Sequence, residues 1–164
     1  GGRYDAGMMY YSPQIWCSDN TDAINRLSIQ YGSSFFYPIS TVGSHVSVCP
    51  NHQTGRVTPF RTRGDVALAG SFGYEMDLNK ISEEEKEMVK EQVAAMHEYY
   101  ELTHEGLYYR LTGLKKQDCM AWEFVAKDKS KAVSSVVKTD AQGNPLPLHL
   151  SHPPHKYPVR NPLR

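Results

Sequence analysis

Apolar positions along this chain fall into blocks whose spacing changes once, about two thirds of the way along. Residues 8–16, Met-Met-Tyr-Tyr-Ser-Pro-Gln-Ile-Trp, are mostly apolar and aromatic, the pattern of a strand covered on both faces. Ser18-Asp19-Asn20-Thr21 follows, four residues of helix-capping type. Behind them Ile24, Leu27 and Tyr31 recur at helical spacing until Gly32 supplies a stop. The strand–turn–helix unit then repeats. Residues 35–39 (Phe-Phe-Tyr-Pro-Ile) predict a second strand, and a long polar loop leads to Thr58-Pro59, a cap with Pro at the first helical position of a helix reaching about Gly70. A third strand is predicted near 72–77. After it Ser82-Glu83-Glu84-Glu85 forms a capping box, opening a helix with Val89, Val93, Met96 and Tyr100 on one stripe and Gly106 as its stop.

Beyond Gly106 the period becomes two. Residues 107–111 predict a strand, Met120, Trp122, Phe124 and Ala126 share one face of another, and Lys127-Asp128-Lys129-Ser130 turns the chain into a partner over 131–138. The last twenty residues hold six of the ten prolines, which excludes a central strand or a helix there. Strand–helix alternation with polar residues at strand ends is the grammar of a parallel sheet or a (β/α)8 barrel, with the site at the C-terminal ends of the strands. The expected fold class is therefore α/β. It divides into the C-terminal part of a (β/α)8 barrel over 1–105, a small antiparallel β-sandwich-like domain over 106–150, and a Pro/His-rich tail over 151–164. A whole barrel takes about 250 residues, so a barrel reading puts five strands upstream.

Composition narrows the partners. Eighteen basic residues balance eighteen acidic ones, so no global positive field holds nucleic acid or an anionic membrane. The longest stretch without Asp, Glu, Lys or Arg, 27–55, is broken by glycines, prolines and histidines, leaving no membrane-spanning apolar run. The chain opens Gly-Gly-Arg-Tyr-Asp, with neither initiator Met nor signal-peptide core, and so reads as starting internally. Cys17, Cys49 and Cys119 are widely spaced, with no CxxC. That argues against a disulfide framework or structural zinc and favours a reducing compartment.

Several residues are candidates for chemistry. Asp19 follows the first predicted strand, where a catalytic residue of such a fold sits; capping the helix near Thr21 would explain it as well. Asp22 reads as a first-turn acid stabilised by the helix dipole. Trp16 is either a platform for the apolar face of a hexose or a core residue. His45 and His52, in the second strand-end loop, are either polar rim contacts for substrate or stabilisers of that loop. Gly1, Gly2 and Gly7 complete no phosphate-loop pattern. His149, His152 and His155, three apart among prolines, lack a carboxylate or Cys to complete a metal site. Cys17 has no adjacent His to make it a thiol nucleophile.

The run Gly1-Gly2-Arg3-Tyr4-Asp5-Ala6-Gly7-Met8, then Pro13-Gln14-Ile15-Trp16-Cys17-Ser18-Asp19-Asn20-Thr21-Asp22-Ala23-Ile24, strongly resembles a stretch of the glycoside hydrolase family 36 α-galactosidases. In the same order follow Tyr37-Pro38, Gly43-Ser44-His45-Val46-Ser47, Pro50-Asn51-His52-Gln53-Thr54-Gly55-Arg56, Thr62-Arg63-Gly64 and Phe72-Gly73-Tyr74-Glu75-Met76-Asp77-Leu78, so the resemblance covers about residues 1–137. It implies a (β/α)8 barrel with a C-terminal β-sandwich, these units being the sixth to eighth. It also implies retaining hydrolysis of terminal α-linked galactose in melibiose- and raffinose-type sugars, with no metal or cofactor. The family's general acid/base falls on Asp19 and its galactose-lining Trp on Trp16. Cys17 stands where the family has Thr, and Asn20 where it has a second Asp. The family's nucleophile segment, of the Lys-Trp-Asp-Met-Asn kind, would precede Gly1. Lys138-Thr139-Asp140 does not replace it. Further implied are a galactoside as partner, homo-oligomerisation and a cytoplasmic location. The competing expectation is a non-catalytic sugar-binding or scaffold module.

Overall fold

The computed structural model describes residues 5–113 and 119–139. Helix α1 (Ala23–Ser33) forms where the spacing of Ile24, Leu27 and Tyr31 predicts it, and buries Ala23, Arg26, Leu27 and Gln30. Gly32 lies inside the helix instead of ending it. After Ser34 the chain turns through Phe35 and Phe36, and a 3-10 turn, Ile39–Thr41, leads into strand β1 (Gly43–Ser47). Helix α2 (Phe60–Ala67) returns the chain to strand β2 (Ser71–Glu75), which pairs in parallel with β1, Val46 opposite Tyr74.

Two expected strands are displaced. Residues 8–16 are not a strand: Met8–Tyr10 is a 3-10 turn, initiated where the Asp5 carboxylate accepts from the Gly7 amide at 2.7 Å and closed by Tyr11 and Ser12 amides on the Met8 carbonyl. Only Ile15 joins the sheet, through a parallel bridge to Val42. The second strand is Gly43–Ser47 and not 35–39. Its Gly, Ser and His residues carry little β-propensity, yet most of it is buried, and its buried hydroxyls find partners. Ser44 Oγ donates to Gln30 Oε1 at 2.9 Å and Ser47 Oγ to the Thr21 carbonyl at 3.1 Å. Satisfied polar groups allow a strand core that is not aliphatic.

Helix α3 (Glu83–Glu105) opens on the expected capping box: Ser82 Oγ accepts from Glu85 N, and Glu85 Oε2 from Ser82 N, each at 3.1 Å. Gly106 ends it with ordinary extended angles, φ −74° and ψ 171°. Strands β3 (Leu107–Arg110), β4 (Cys119–Val125) and β5 (Ala132–Lys138) then form one antiparallel sheet in the order β3-β4-β5. The alternation read in β4 understates its burial, because residues 121–125 are all buried in the central strand. Leu27, Val42, Val66 and Ala69 share one apolar cluster with Leu102, Trp122, Phe124 and Val137, so the antiparallel sheet packs directly on the βα units. Among the described residues no helix is long and apolar enough to cross a membrane. The tail over 151–164 lies outside the described residues.

Candidate active site

Because Ile15, β1 and β2 run parallel, the loops that follow them emerge on the same side. The first such loop carries Trp16 and Asp19, and the second carries residues 48–58. Asp22, not Asp19, caps α1: its Oδ1 accepts from the Ile24 and Asn25 amides at 2.9 and 3.0 Å. This corrects the reading of Asp22 as a first-turn acid and removes helix capping as an explanation of Asp19. Asp22 is fully buried, with the Thr54 hydroxyl donating to Oδ2 at 2.5 Å and Arg56 Nη1 donating to Oδ1. Burial by itself would raise its carboxyl. The Thr54 hydroxyl, the Asn25 amide and the Arg56 guanidinium outweigh burial and hold it below the usual carboxylate range.

Asp19 is exposed, and among the described residues no hydrogen bond reaches its carboxylate. Its main chain, by contrast, is tied down. Gln53 Nε2 donates to the Asp19 carbonyl at 2.9 Å, and Gln53 Oε1 accepts from the Thr21 amide at 3.1 Å. Asn51, itself buried, holds the base of this loop: Nδ2 donates to Thr21 Oγ1 at 3.0 Å and Ser47 Oγ at 3.3 Å, while Oδ1 accepts from the Gln53 and Thr54 amides. Gly55 closes the turn in the left-handed region at φ 68°, which glycine adopts without strain. From below, buried Arg26 ties the first loop to the sheet: Nη1 donates to the Ser18 carbonyl at 3.2 Å, and Nη2 to Cys17 Sγ at 3.4 Å and to the Gly43 carbonyl.

Trp16 is half exposed, and its inner face stacks on His45, with ring centroids 4.1 Å apart and planes 15° from parallel. The His45 side chain is only 5% exposed, so it underlies Trp16 instead of standing on the open rim. His45 Nε2 lies 2.8 Å from a Glu75 carboxylate oxygen at the end of β2. Burial, then the charge of Arg26, lowers the imidazole below its usual value against the pull of Glu75, keeping the ring neutral at pH 7. His52 is exposed on the second loop. Trp16, Asp19, His45 and the loop carrying His52 thus meet at one end of the parallel strands.

Sequence reading passes over Arg26, Gln53, Asn51 and Glu75, whose roles come from contacts between distant segments. The polar density of 50–56 points toward Asn51 and Gln53 alone. Gly1, Gly2, His149, His152, His155 and Asp140 lie outside the described residues. Among the described residues no cluster of three or more His, Cys, Asp or Glu side chains forms a metal site.

Parallel strands joined through a helix, with a polar rim at their C-terminal ends, define an α/β protein of the βα-repeat class. The sequence profile of the melibiase family matches residues 1–106. The bifunctional alpha-galactosidase/sucrose kinase AgaSK of Mediterraneibacter gnavus is 53% identical over 150 residues, 92% of this chain and 16% of that protein. Alpha-galactosidase AgaA of Geobacillus stearothermophilus is 51% identical over 144 residues, 88% of this chain and 20% of that protein. The solved galactosidase domain of AgaSK superposes with a TM-score of 0.87 at 52% identity, over 92% of this chain and 21% of that one. A variant of the Geobacillus AgaA in complex with raffinose gives a TM-score of 0.86 at 47% identity, over the same shares. The chain belongs to the melibiase family, glycoside hydrolase family 36. It spans about a fifth or less of the length of these relatives.

Proposed function

We propose that this chain carries the acid/base half of a retaining α-galactosidase site, with Asp19 as the proton donor and Trp16 as the sugar platform. One observation supports the reading above the rest: Asp19 has an exposed carboxylate without a hydrogen bond among the described residues, on a loop whose main chain is held from two sides. An aspartate retained for structure is expected to spend its oxygens on amides, as Asp22 does. In retaining hydrolysis two carboxyls stand roughly 5–5.5 Å apart; one attacks the anomeric carbon, and the other protonates the departing oxygen and later deprotonates water. Asp19 has the second role. The nucleophile belongs to the part of the enzyme that the relatives possess and this chain does not span, so the 164 residues taken alone are inactive.

The substrate is a terminal α-linked galactose of the raffinose type, the sugar present in the complex of the related Geobacillus enzyme. In this reading the βα units are the end of a (β/α)8 barrel over 1–105, the antiparallel strands belong to a sandwich-like domain over 106–150, and the enzyme is a cytoplasmic homo-oligomer. His52 contributes polar contacts at the rim, and His45 supports Trp16 from beneath.

The test is Asp19→Ala in the full chain carrying these residues. Hydrolysis of raffinose should collapse, while an activated aryl galactoside still forms the glycosyl-enzyme and then stalls for want of a base. Azide needs no base and should restore turnover, giving the α-galactosyl azide. A β-azide would make Asp19 the nucleophile, and parallel losses on both substrates with lowered stability would make it structural.

A further inference from the structure

We infer that Gln53 is a positioning residue for the acid/base, acting through the Asp19 main chain; the inference rests on the reading of Asp19 just given. The Asp19 carboxyl has no hydrogen-bonded support among the described residues, so its direction depends on the peptide that bears it. One side-chain amide grips the main chain here at two points on consecutive peptide units: the carbonyl of Asp19 at 2.9 Å and the amide of Thr21 at 3.1 Å. Pairing with the C=O of one residue and the N–H of the residue two further on reproduces one rung of a strand ladder, and it fixes the plane in which the Asp19 Cα–Cβ bond lies. Only one orientation of the amide satisfies both partners, since a flip would set donor against donor and acceptor against acceptor.

Gln53 is itself indexed to the fold. Its main-chain N–H donates to Asn51 Oδ1 at 3.0 Å, and Asn51 is buried against Thr21 and Ser47. The loop does not need the Gln53 side chain in order to close. The Asn51 amide donates to the Arg56 carbonyl at 2.9 Å, the Gly55 amide donates to the Asn51 carbonyl at 2.8 Å, and Thr54 is locked onto Asp22. Thr21 also keeps other holds, through Ser47 Oγ on its carbonyl and Asn51 Nδ2 on its hydroxyl. The Asp19 carbonyl has only Gln53 among the described residues. Truncating Gln53 therefore releases the Asp19 carbonyl and loosens the acid/base, with the Asn20 amide still on Ser18 Oγ at 3.1 Å and the Ser18 carbonyl still on Arg26, while leaving both loops assembled. Catalytic geometry is sensitive to displacements of this size, about 1 Å costing on the order of 10²-fold.

The experiment compares the full chain with its Gln53→Ala, Gln53→Glu and Asp19→Ala variants on raffinose and on a dinitrophenyl α-galactoside, with melting curves for each. Gln53→Ala should lower kcat/KM for raffinose on the order of 10- to 100-fold and for the aryl substrate by less than about 3-fold, because only the sugar leaving group needs the proton. With the aryl substrate kcat should fall and azide should raise it again, while the melting temperature stays near the parent's. Gln53→Glu keeps an acceptor for Thr21 but sets a carboxylate against the Asp19 carbonyl, so it should show the same substrate bias. Equal losses on both substrates, no loss, or a Gln53→Glu variant behaving as the parent would each overturn the inference while leaving Asp19→Ala intact. An Asp19→Ala variant without leaving-group bias or azide rescue would instead remove the acid/base reading, and this inference with it.

Discussion

Replacing Asp22 by Ala removes three interactions from one buried carboxylate, and their sum can be worked from the structure. The cap bonds to Ile24 and Asn25 contribute about 1 kcal/mol, the usual value of an Asp N-cap. The Thr54 hydroxyl bond, to an ionised and fully buried acceptor, adds about 1.5 kcal/mol. Arg56 is 41% exposed, so its ion pair adds only about 0.5 kcal/mol after screening. The total of about 3 kcal/mol corresponds to roughly a 10²-fold rise in local opening. Hydrogen exchange followed by mass spectrometry on peptides spanning α1 should show that increase in the full chain. Asp22→Asn keeps an acceptor at the cap and loses the charge, so its exchange should rise by about 10-fold or less. The dependence on pH has a definite sign. The folded carboxyl titrates below its unfolded value of about 3.9, so the stabilisation is complete above that pH and is lost as pH falls through the folded value. The gap between parent and Asn variant should therefore close only below about pH 4. A change under about 5-fold in Asp22→Ala, or an Asn variant as damaged as the Ala variant, would refute this account of how the first loop is anchored.

Two further outcomes follow from the packing. Trp16→Ala in the full chain should raise the Kd for galactose on the order of 10-fold, about 1.4 kcal/mol, by removing the platform over His45; unchanged affinity with a lower melting temperature would return Trp16 to a packing role. Gly106→Ala should destabilise by about 2 kcal/mol, because an added Cβ would lie 2.3 Å from the Leu102 carbonyl and 2.9 Å from that of Val125, both main chain and unable to yield. An unchanged melting curve would mean that the junction of α3 with β3 and β4 is slack.

Elements governed by neighbours along the chain are legible in the sequence itself. The Ser82–Glu85 capping box and the Val89, Val93, Met96, Tyr100 stripe announce α3 because a helix is closed by bonds three and four residues apart. The β4–β5 hairpin follows its Lys-Asp-Lys-Ser turn for the same reason. The order of motifs identifies the family, since an ordered set of unusual local runs survives without knowledge of contacts.

What the chain could not announce was decided across distance. Gly43–Ser47 is a strand because Gln30, Thr21 and Asn51 satisfy its hydroxyls from elsewhere; the one local exception is the apolar 8–16 run, which Asp5 turns through a bond two residues away. Asp19 and Asp22 are three residues apart, and the sequence reads the first as catalytic or a cap and the second as a first-turn acid, whereas Asp22 is the cap. Their division of labour depends on Thr54 and Arg56, more than thirty residues further on, which bury one carboxylate, and on Gln53, which holds the main chain of the other. Spacing along a chain encodes bonds within a turn or a hairpin. It carries no record of which loop a parallel sheet will set beside which, and that juxtaposition alone separates the buried aspartate from the one left open to solvent.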